Sequence, residues 1–127
     1  MPVLDTSFLI RLRSGDEAAA EMLREIEKEP LFVPPWVVVE FLTGFPATAE
    51  STLEELAASF VLVQTTPAWA LAAAELRADL RRRRLKIRLP DFWIATFAKI
   101  FDTFVVTQNT KDFAVLGVET RSWASAR

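Results

Sequence analysis

Short apolar runs alternate along the chain with longer segments in which apolar residues recur every three or four positions. The short runs predict brief buried strands at residues 3–4, 31–33, 61–63 and 103–106, with a last edge strand at Val118 and Glu119. The longer segments have the spacing of amphipathic helices. Because strands and helices alternate with short connections, the pattern predicts an α/β fold with parallel strand pairing and helices on both faces of the sheet.

Prolines, a glycine and a capping residue mark where predicted helices begin and end. Thr66 caps a helix that has Pro67 at its first position, and a pair of prolines opens the valine-rich segment that Gly44 stops. The valines alone would favour a strand, but this segment is predicted to be a helix. The predicted helices cover residues 8–13, 16–28, 36–45, 46–59, 67–84 and 89–101, with a helical turn after residue 112. Leu53 and Leu71 are assigned to apolar helix faces.

The composition is that of one globular domain and restricts the chemistry open to it. A chain of 127 residues with 51% hydrophobic residues can bury a sizeable core, so a single domain over residues 1–127 is predicted. The absence of cysteine and histidine excludes disulfides, the usual zinc sites and Ser-His-Asp catalysis. Any metal ion would be held by oxygen ligands, which favours magnesium or manganese.

Neither a secretory signal nor a membrane span is predicted. The first residues lack a basic start and an uninterrupted apolar core, and Asp5 lies where such a core would be. The longest apolar runs are interrupted by Glu40 or by prolines, far short of the ~20 residues that a span needs. A cytoplasmic protein is therefore expected.

Positive charge is concentrated in one stretch, although the net charge of the chain is −2. Residues 77–88 carry a net charge of +6, which leaves −8 for the remainder. Arginines at a helix end are favoured by the helix macrodipole and are often only solvated there. A local basic patch on an acidic body can also dock a polyanion. Both interpretations stay open.

Four acidic residues fall at the end of a predicted strand or on the helix directly after one. Glu40 is the most anomalous, because apolar residues flank it and a buried carboxylate is costly unless it is paired or bound. Each acid also has a structural explanation. Glu40 can face solvent from an amphipathic helix, and Asp5 and Asp91 can stabilise the start of a helix. Asp112 can belong to a turn in a polar loop.

Taken together, the four acids predict a metal site. The carboxyl ends of parallel strands share one edge of a sheet, so these side chains are expected to meet there. Clustered carboxylates repel one another and raise each other's pKa unless a divalent cation neutralises them. An oxygen-liganded magnesium or manganese ion can activate water and stabilise the charge that develops in phosphodiester cleavage.

Four motifs in a fixed order carry a resemblance that covers nearly the whole chain. They are Val-Leu-Asp-Thr-Ser-Phe-Leu-Ile at residues 3–10, Glu-Phe-Leu-Thr-Gly at 40–44, Asp-Phe-Trp-Ile-Ala-Thr at 91–96 and Val-Val-Thr-Gln-Asn-Thr-Lys-Asp-Phe at 105–113. Each motif is loose alone, but the set of four is fairly specific. With them the chain resembles a PIN-domain ribonuclease, in particular a VapC-type toxin of a type II toxin–antitoxin system.

The resemblance implies a PIN-like three-layer α/β/α sandwich with a central, mainly parallel sheet. It also implies a Mg²⁺- or Mn²⁺-dependent endoribonuclease with RNA as substrate, a cognate antitoxin as partner and a homodimer. The implied catalytic residues are Asp5, Glu40, Asp91 and Asp112. Asp5 and Asp91 match the main metal ligands. The matching polar positions beside them are Thr6, Ser7, Thr107 and Asn109.

The resemblance leaves several assignments open. Loop geometry decides whether Asp112 or Asn109 faces the ion. Bulky Phe92-Trp93 follows the third acid, where small residues are common in the family. The basic run has three interpretations, namely RNA binding, docking of an acidic antitoxin segment, or a solvated helix end. Its candidate RNA-binding residues are Arg81, Arg82, Arg83, Arg84, Lys86 and Arg88.

Two other functions compete with the nuclease. A catalytically inactive PIN-like binding module would behave the same after Asp5→Ala. A phosphatase with Asp5 as nucleophile is less favoured, because that chemistry usually has a second acid two residues on, where Ser7 stands. The four tryptophans are expected in the core or at an interface rather than as platforms for stacked bases, and they are Trp36, Trp69, Trp93 and Trp123.

Overall fold

The structure, a computed structural model, describes residues 1–123 and contains seven α-helices and five strands there. The strands β1–β5 span Val3–Leu4, Phe32–Val33, Val61–Leu62, Val105–Val106 and Thr120–Arg121. The helices α1–α7 span Thr6–Arg13, Glu17–Ile26, Pro35–Thr43, Ala49–Ser59, Pro67–Arg82, Leu89–Ile100 and Thr110–Val115, and a 3₁₀ turn covers Pro46–Thr48. Within these residues, no helix combines the length and the apolar character of a membrane span.

All five strands run parallel in the order β3-β2-β1-β4-β5. The central strand β1 pairs with β2 and β4, so that Val3 has Phe32 and Val105 as its neighbours. The chain moves from β1 through β2 to β3 in one direction, and from β4 to β5 in the other. The direction therefore reverses between β1 and β4, and α/β folds bind ligands at such a switch point, beyond the carboxyl ends of the strands.

Helices cover both faces of the sheet, which confirms the predicted three-layer α/β fold. Right-handed crossovers put the helices of the two chain directions on opposite faces. Accordingly, α1 contacts α2 and α3, and α3 contacts α4, whereas α6 contacts α5 and α7. The two sets also meet, because α3 contacts α6. The central strands are fully buried at Val3, Leu4, Val105 and Val106. Burial on both faces explains why the strand sequences are continuous apolar runs rather than alternating ones.

Each strand has only two residues in regular pairing, but backbone hydrogen bonds extend the ladder by one residue toward the switch point. The Asp5 N–H donates to the Val106 carbonyl at 3.1 Å, and the Thr107 N–H donates to the Arg121 carbonyl at 3.1 Å. Asp5 and Thr107 are therefore held side by side just beyond β1 and β4.

Two predicted elements, the last strand and the helix over residues 46–59, were wrong in detail. The last strand lies at Thr120–Arg121 rather than at Val118 and Glu119. The reason is local, because the Val118 N–H donates back to the Phe113 carbonyl and closes the end of α7. The single helix predicted over 46–59 is a 3₁₀ turn followed by α4.

Helix bounds and faces also differ from prediction at a few residues. α1 begins at Thr6, two residues before the predicted start, because Asp5 caps it. α5 stops short of Arg84, whose φ of 55° lies in the left-handed region. Leu53 and Leu71 do not face the core, since they are 38% and 63% exposed. Helical spacing alone did not distinguish these positions from the buried ones beside them.

The buried face of α5 can be tested with one substitution at two positions. Leu76→Ala should lower the free energy of unfolding by about 2–5 kcal/mol, because Leu76 is 9% exposed and its truncation leaves a cavity. Leu71→Ala on the same helix should change it by less than about 0.5 kcal/mol, because Leu71 is largely exposed. Urea unfolding followed by tryptophan fluorescence measures both. Equal losses would contradict the assignment of the buried face.

Candidate active site

Asp5 stands at the carboxyl end of β1 and caps the start of α1. Its Oδ1 accepts a hydrogen bond from the Thr6 N–H at 2.7 Å, and its Oδ2 accepts one from the Thr107 hydroxyl at 2.7 Å. The residue is 9% exposed. Each carboxylate oxygen retains a second acceptor position, so the capping role leaves Asp5 able to bind a further partner.

Glu40 reaches the same region from the middle of α3. Its Oε1 accepts a hydrogen bond from the Thr6 hydroxyl at 3.0 Å, so Thr6 links the first turn of α1 to α3. Glu40 is half-buried, which differs from a fully solvent-facing helix position. Among residues 1–123, no hydrogen-bond donor contacts its second oxygen, Oε2.

Asn109 connects the other two acids. It follows β4, and its backbone N–H donates to the Thr107 hydroxyl at 3.0 Å. Its side-chain nitrogen donates to Asp91 Oδ2 at 2.8 Å and to Asp112 Oδ2 at 3.2 Å. Asp91 is 5% exposed in the first turn of α6. Asp112 lies in the first turn of α7 rather than in the predicted loop, so Asn109 and Asp112 act as partners at the same site.

The four predicted acids line one open cavity of about 540 Å³ at the switch point of the sheet. Thr6, Ser7 and Asn109 line it too, and Thr107 adjoins it through its bond to Asp5. The structure thus brings together every predicted acid and every predicted supporting polar residue. Contacts between α1, α3, α6 and α7, which are far apart in sequence, create this cavity.

Two of the acids, Asp5 and Asp91, have raised pKa values because they lie in a poorly hydrated space beside other carboxylates. Burial is the main cause that raises the pKa of Asp5, and the charge of Glu40 adds to it against the hydrogen bond from Thr107. Burial also raises the pKa of Asp91 to about 6, and the charge of Asp5 and a hydrogen bond with Asp112 add to that shift. Buried carboxylates whose ionisation is opposed by neighbouring acids are the electrostatic setting of a cation site.

In the structure, one residue of the predicted basic run lines the acidic cavity and the others lie outside it. Arg88 directly precedes α6 and lines the acidic cavity, where its charge lowers the pKa of both Asp5 and Asp91 against the larger effect of burial. Arg82 and Arg83 instead pair with Asp79 on the exposed surface of α5. The basic residues outside the cavity are Arg81, Arg82, Arg83, Arg84 and Lys86.

The residues of the cavity fit a magnesium or manganese ion held largely by water. Within residues 1–123, no three acidic side chains stand close enough together to hold a metal ion by themselves. Mg²⁺ keeps several waters and commonly binds through one or two carboxylates, so two acids of the cavity, such as Asp5 and Asp91, would be enough to hold it. The buried Ser7 hydroxyl has no hydrogen-bond partner in the described part of the chain, and a bound water could supply one.

Sequence reasoning missed the apolar and amide residues of the cavity wall, Ile10, Pro90 and Gln108. Ile10 is 51% exposed, and an apolar side chain that stays in solvent beside an acidic motif is a signal that periodicity alone does not reveal. Pro90 and Gln108 each neighbour a predicted site residue in sequence.

The tryptophans lie away from the acids. Trp123 packs against Phe8 in the core with ring centroids 5.2 Å apart, as predicted. Trp36, Trp69 and Trp93 are half-buried around a separate, largely apolar cavity of about 380 Å³. None of the four lines the acidic cavity.

The chain matches the family model of the PIN domain over residues 3–118. No curated protein sequence matches it. DNA-bound VapBC from Salmonella typhimurium has the same fold, with a TM-score of 0.83 and 20% identity over 98% of this chain and 100% of that chain. VapBC2 from Rickettsia felis, bound to a promoter DNA fragment, has a TM-score of 0.82 and 19% identity over 96% of this chain and 98% of that chain. A toxin–antitoxin complex from Klebsiella pneumoniae has a TM-score of 0.68 and 25% identity over 90% of this chain and 91% of that chain.

A five-stranded parallel sheet with an acid-lined cavity at its switch point defines an α/β protein with a candidate metal site. Within that class, the chain belongs to the PIN domain family. The resemblance found in the four motifs is thereby confirmed, and so is the predicted PIN-like sandwich.

Crowding of the acids predicts how stability depends on pH in the absence of metal. In EDTA, the free energy of unfolding should fall as the pH rises from about 4 to about 6. The reason is that the unfolded chain releases the Asp91 proton near pH 3.8, whereas the folded protein releases it only near pH 6. Asp91→Asn removes this titration, so it should be more stable than the wild type at pH 7. Thermal unfolding from pH 4 to pH 7 measures the difference.

The exposed Glu54→Gln on α4 is the matched control, since it removes one negative charge outside the cavity. It should follow the pH profile of the wild type. An Asp91→Asn protein that is less stable than the wild type at pH 7 in EDTA would show that the ionised Asp91 carboxylate does not destabilise the fold.

Proposed function

We propose that this PIN-domain protein is a metal-dependent endoribonuclease and acts as the toxin of a toxin–antitoxin pair in the cytoplasm. The observation that carries the proposal is the meeting of Asp5, Glu40, Asp91 and Asp112 in one cavity at the switch point of the sheet. Such a set is costly to a folded protein unless it serves a cation.

Asp5 and Asp91 are the residues that would hold Mg²⁺ or Mn²⁺, since both are nearly buried and the charge of Asp5 acts on Asp91. Such an ion supplies a lowered pKa for bound water and neutralises charge on a phosphodiester. Asp112 and Glu40 would hold the water molecules around it. A bound cation would favour the ionised form of Asp5 and of Asp91, whose pKa values burial raises.

The polar residues orient the carboxylates. Thr107 and the Thr6 N–H bind one oxygen of Asp5 each, so this carboxylate cannot rotate. Asn109 holds one oxygen of Asp91 and one of Asp112 through a single nitrogen. Fixed orientation matters because a misplaced group loses much of its catalytic effect.

The reaction is a hydrolysis at phosphorus. A water oxygen forms a bond to the phosphorus while the bond from phosphorus to one ester oxygen breaks, which leaves one RNA end with a phosphate and the other with a hydroxyl. Glu40 would accept the proton of the water at Oε2, since the Thr6 hydroxyl donates to Oε1. The departing oxygen takes up a proton from solvent.

The proposed partners come from the similar structures. VapBC and FitAB complexes bound to DNA are among them, and another is described as a toxin–antitoxin complex. By analogy, a cognate antitoxin would bind this chain and block the acidic cavity, and the free toxin would be a homodimer. The basic residues beyond the cavity, from Arg81 to Lys86, would hold the backbone of RNA that extends from it.

Loss of one metal-binding carboxylate should abolish cleavage without unfolding the protein. Asp91→Asn and Asp5→Asn should each lower the rate of RNA cleavage by at least about 100-fold, because a charge used in the transition state is removed. EDTA should do the same to the wild type, and Mn²⁺ should restore it. A 5′-labelled, mixed-sequence single-stranded RNA serves as substrate, and Glu54→Gln is the control.

Full cleavage by both aspartate variants would refute the nuclease. Absence of cleavage by the wild type with Mn²⁺, together with unchanged RNA binding by the variants, would favour an inactive binding module. A phosphoryl group trapped covalently on Asp5 would favour the phosphatase.

Binding of RNA along the basic run predicts a change in salt dependence. In Arg81→Gln with Arg84→Gln, the slope of log affinity against log salt concentration should become shallower by about 1 to 2, because each lost phosphate contact removes about one counterion. Fluorescence anisotropy in the Asp91→Asn background measures it without cleavage. Arg24→Gln on α2 is the control, and an unchanged slope would assign the run to the helix end or to a protein partner.

A further inference from the structure

We propose that Arg88 holds the phosphate group that is cut, and that the rest of the basic run does not. The inference rests on the proposed nuclease function and adds a residue that contacts the reacting group. It separates one arginine from six neighbouring basic residues that the sequence presents as a single patch.

The backbone fixes the position of Arg88 beside the acidic cavity. It occupies the position before α6, and its carbonyl accepts the Phe92 N–H at 3.0 Å as part of the first helical turn. Pro90 stiffens the same turn. Because Asp91 lies three residues further on in this turn, Arg88 and Asp91 move as one unit.

The guanidinium of Arg88 is available for a ligand. It lines the same cavity as the four acids but forms no ion pair and no hydrogen bond within residues 1–123. All five of its N–H donors can therefore bind an incoming group. Arg82 and Arg83, by contrast, already pair with Asp79.

The charges of the cavity define the group that fits. Four carboxylates repel an anion unless a cation lies between them, and Arg88, the one arginine of the lining, offers a second positive contact. A phosphodiester carries one negative charge on two oxygens, and the planar fork of arginine can bind both at once. A carboxylate ligand would meet the same fork, but RNA is the polymer whose cleavage the acids would serve.

Negative charge on the non-bridging oxygens grows as the water attacks, so Arg88 would bind the transition state more tightly than the substrate. Its removal should therefore lower kcat more than it raises KM. Its positive charge also opposes a metal ion held by Asp5 and Asp91. Removal should leave Mn²⁺ binding unchanged or make it tighter.

A lower kcat together with unchanged or tighter Mn²⁺ binding would distinguish contact with the phosphate from a structural role of Arg88. In Arg88→Ala, kcat for the labelled mixed-sequence RNA with Mn²⁺ should fall by about 10- to 1000-fold, as expected for loss of one group that stabilises developing charge. The dissociation constant for Mn²⁺, measured by calorimetry, should stay equal or decrease. Arg88→Lys keeps the charge without the fork and should recover part of kcat. Arg24→Ala, which removes an exposed arginine from α2, should change neither quantity.

Three results would overturn the inference. Arg88→Ala could cleave as fast as Arg24→Ala while Asp91→Asn is inactive, which would leave the nuclease intact and remove Arg88 from it. Arg88→Ala could lose Mn²⁺ binding and cleavage together, which would make it a support for the metal site. Cleavage at the wild-type rate by Asp91→Asn would instead refute the proposed function, and the role of Arg88 with it.

Discussion

Crowding of carboxylates at the end of a buried sheet is the constraint on which the rest of this structure depends. Asp5 and Asp91 are 9% and 5% exposed, and burial is the largest cause of the raised pKa of each. Replacing them with apolar residues would relieve that cost, so a role in stability does not explain them. Hydrogen bonds from threonine and asparagine offset part of the repulsion, and a divalent cation would offset the remainder.

The fold brings the carboxylates together although each strand of its sheet has only two residues in regular pairing. Strands of two residues suffice because all five are parallel and the central ones are fully buried, so their carboxyl ends are aligned to within a residue. Asp5 and Thr107 extend β1 and β4, and their backbone N–H groups continue the ladder to the switch point. Helices α3, α6 and α7 then supply the remaining acids from their first or middle turns.

The sequence predicted which acids meet, but not how they are held. Asp5, Glu40 and Asp91 could be found because each is a charged residue next to an apolar run, and parallel strands bring such positions to one edge. The bond from Asn109 to Asp91 spans 18 residues, and the bond from Thr6 to Glu40 spans 34. Such distances depend on how helices pack, which local patterns do not encode. The same limit explains why Arg88 could not be separated from Arg81–Arg84 before the structure.

The central claim is that the acidic cavity holds a divalent cation between Asp5 and Asp91. Anomalous diffraction at the manganese edge, from crystals of the protein soaked in Mn²⁺, tests it most directly. The account predicts a single strong peak in the cavity, within coordination distance of both carboxylates, and no such peak in Asp91→Asn crystals. A cavity without a peak at saturating Mn²⁺, or an equal peak in the Asp91→Asn protein, would contradict it.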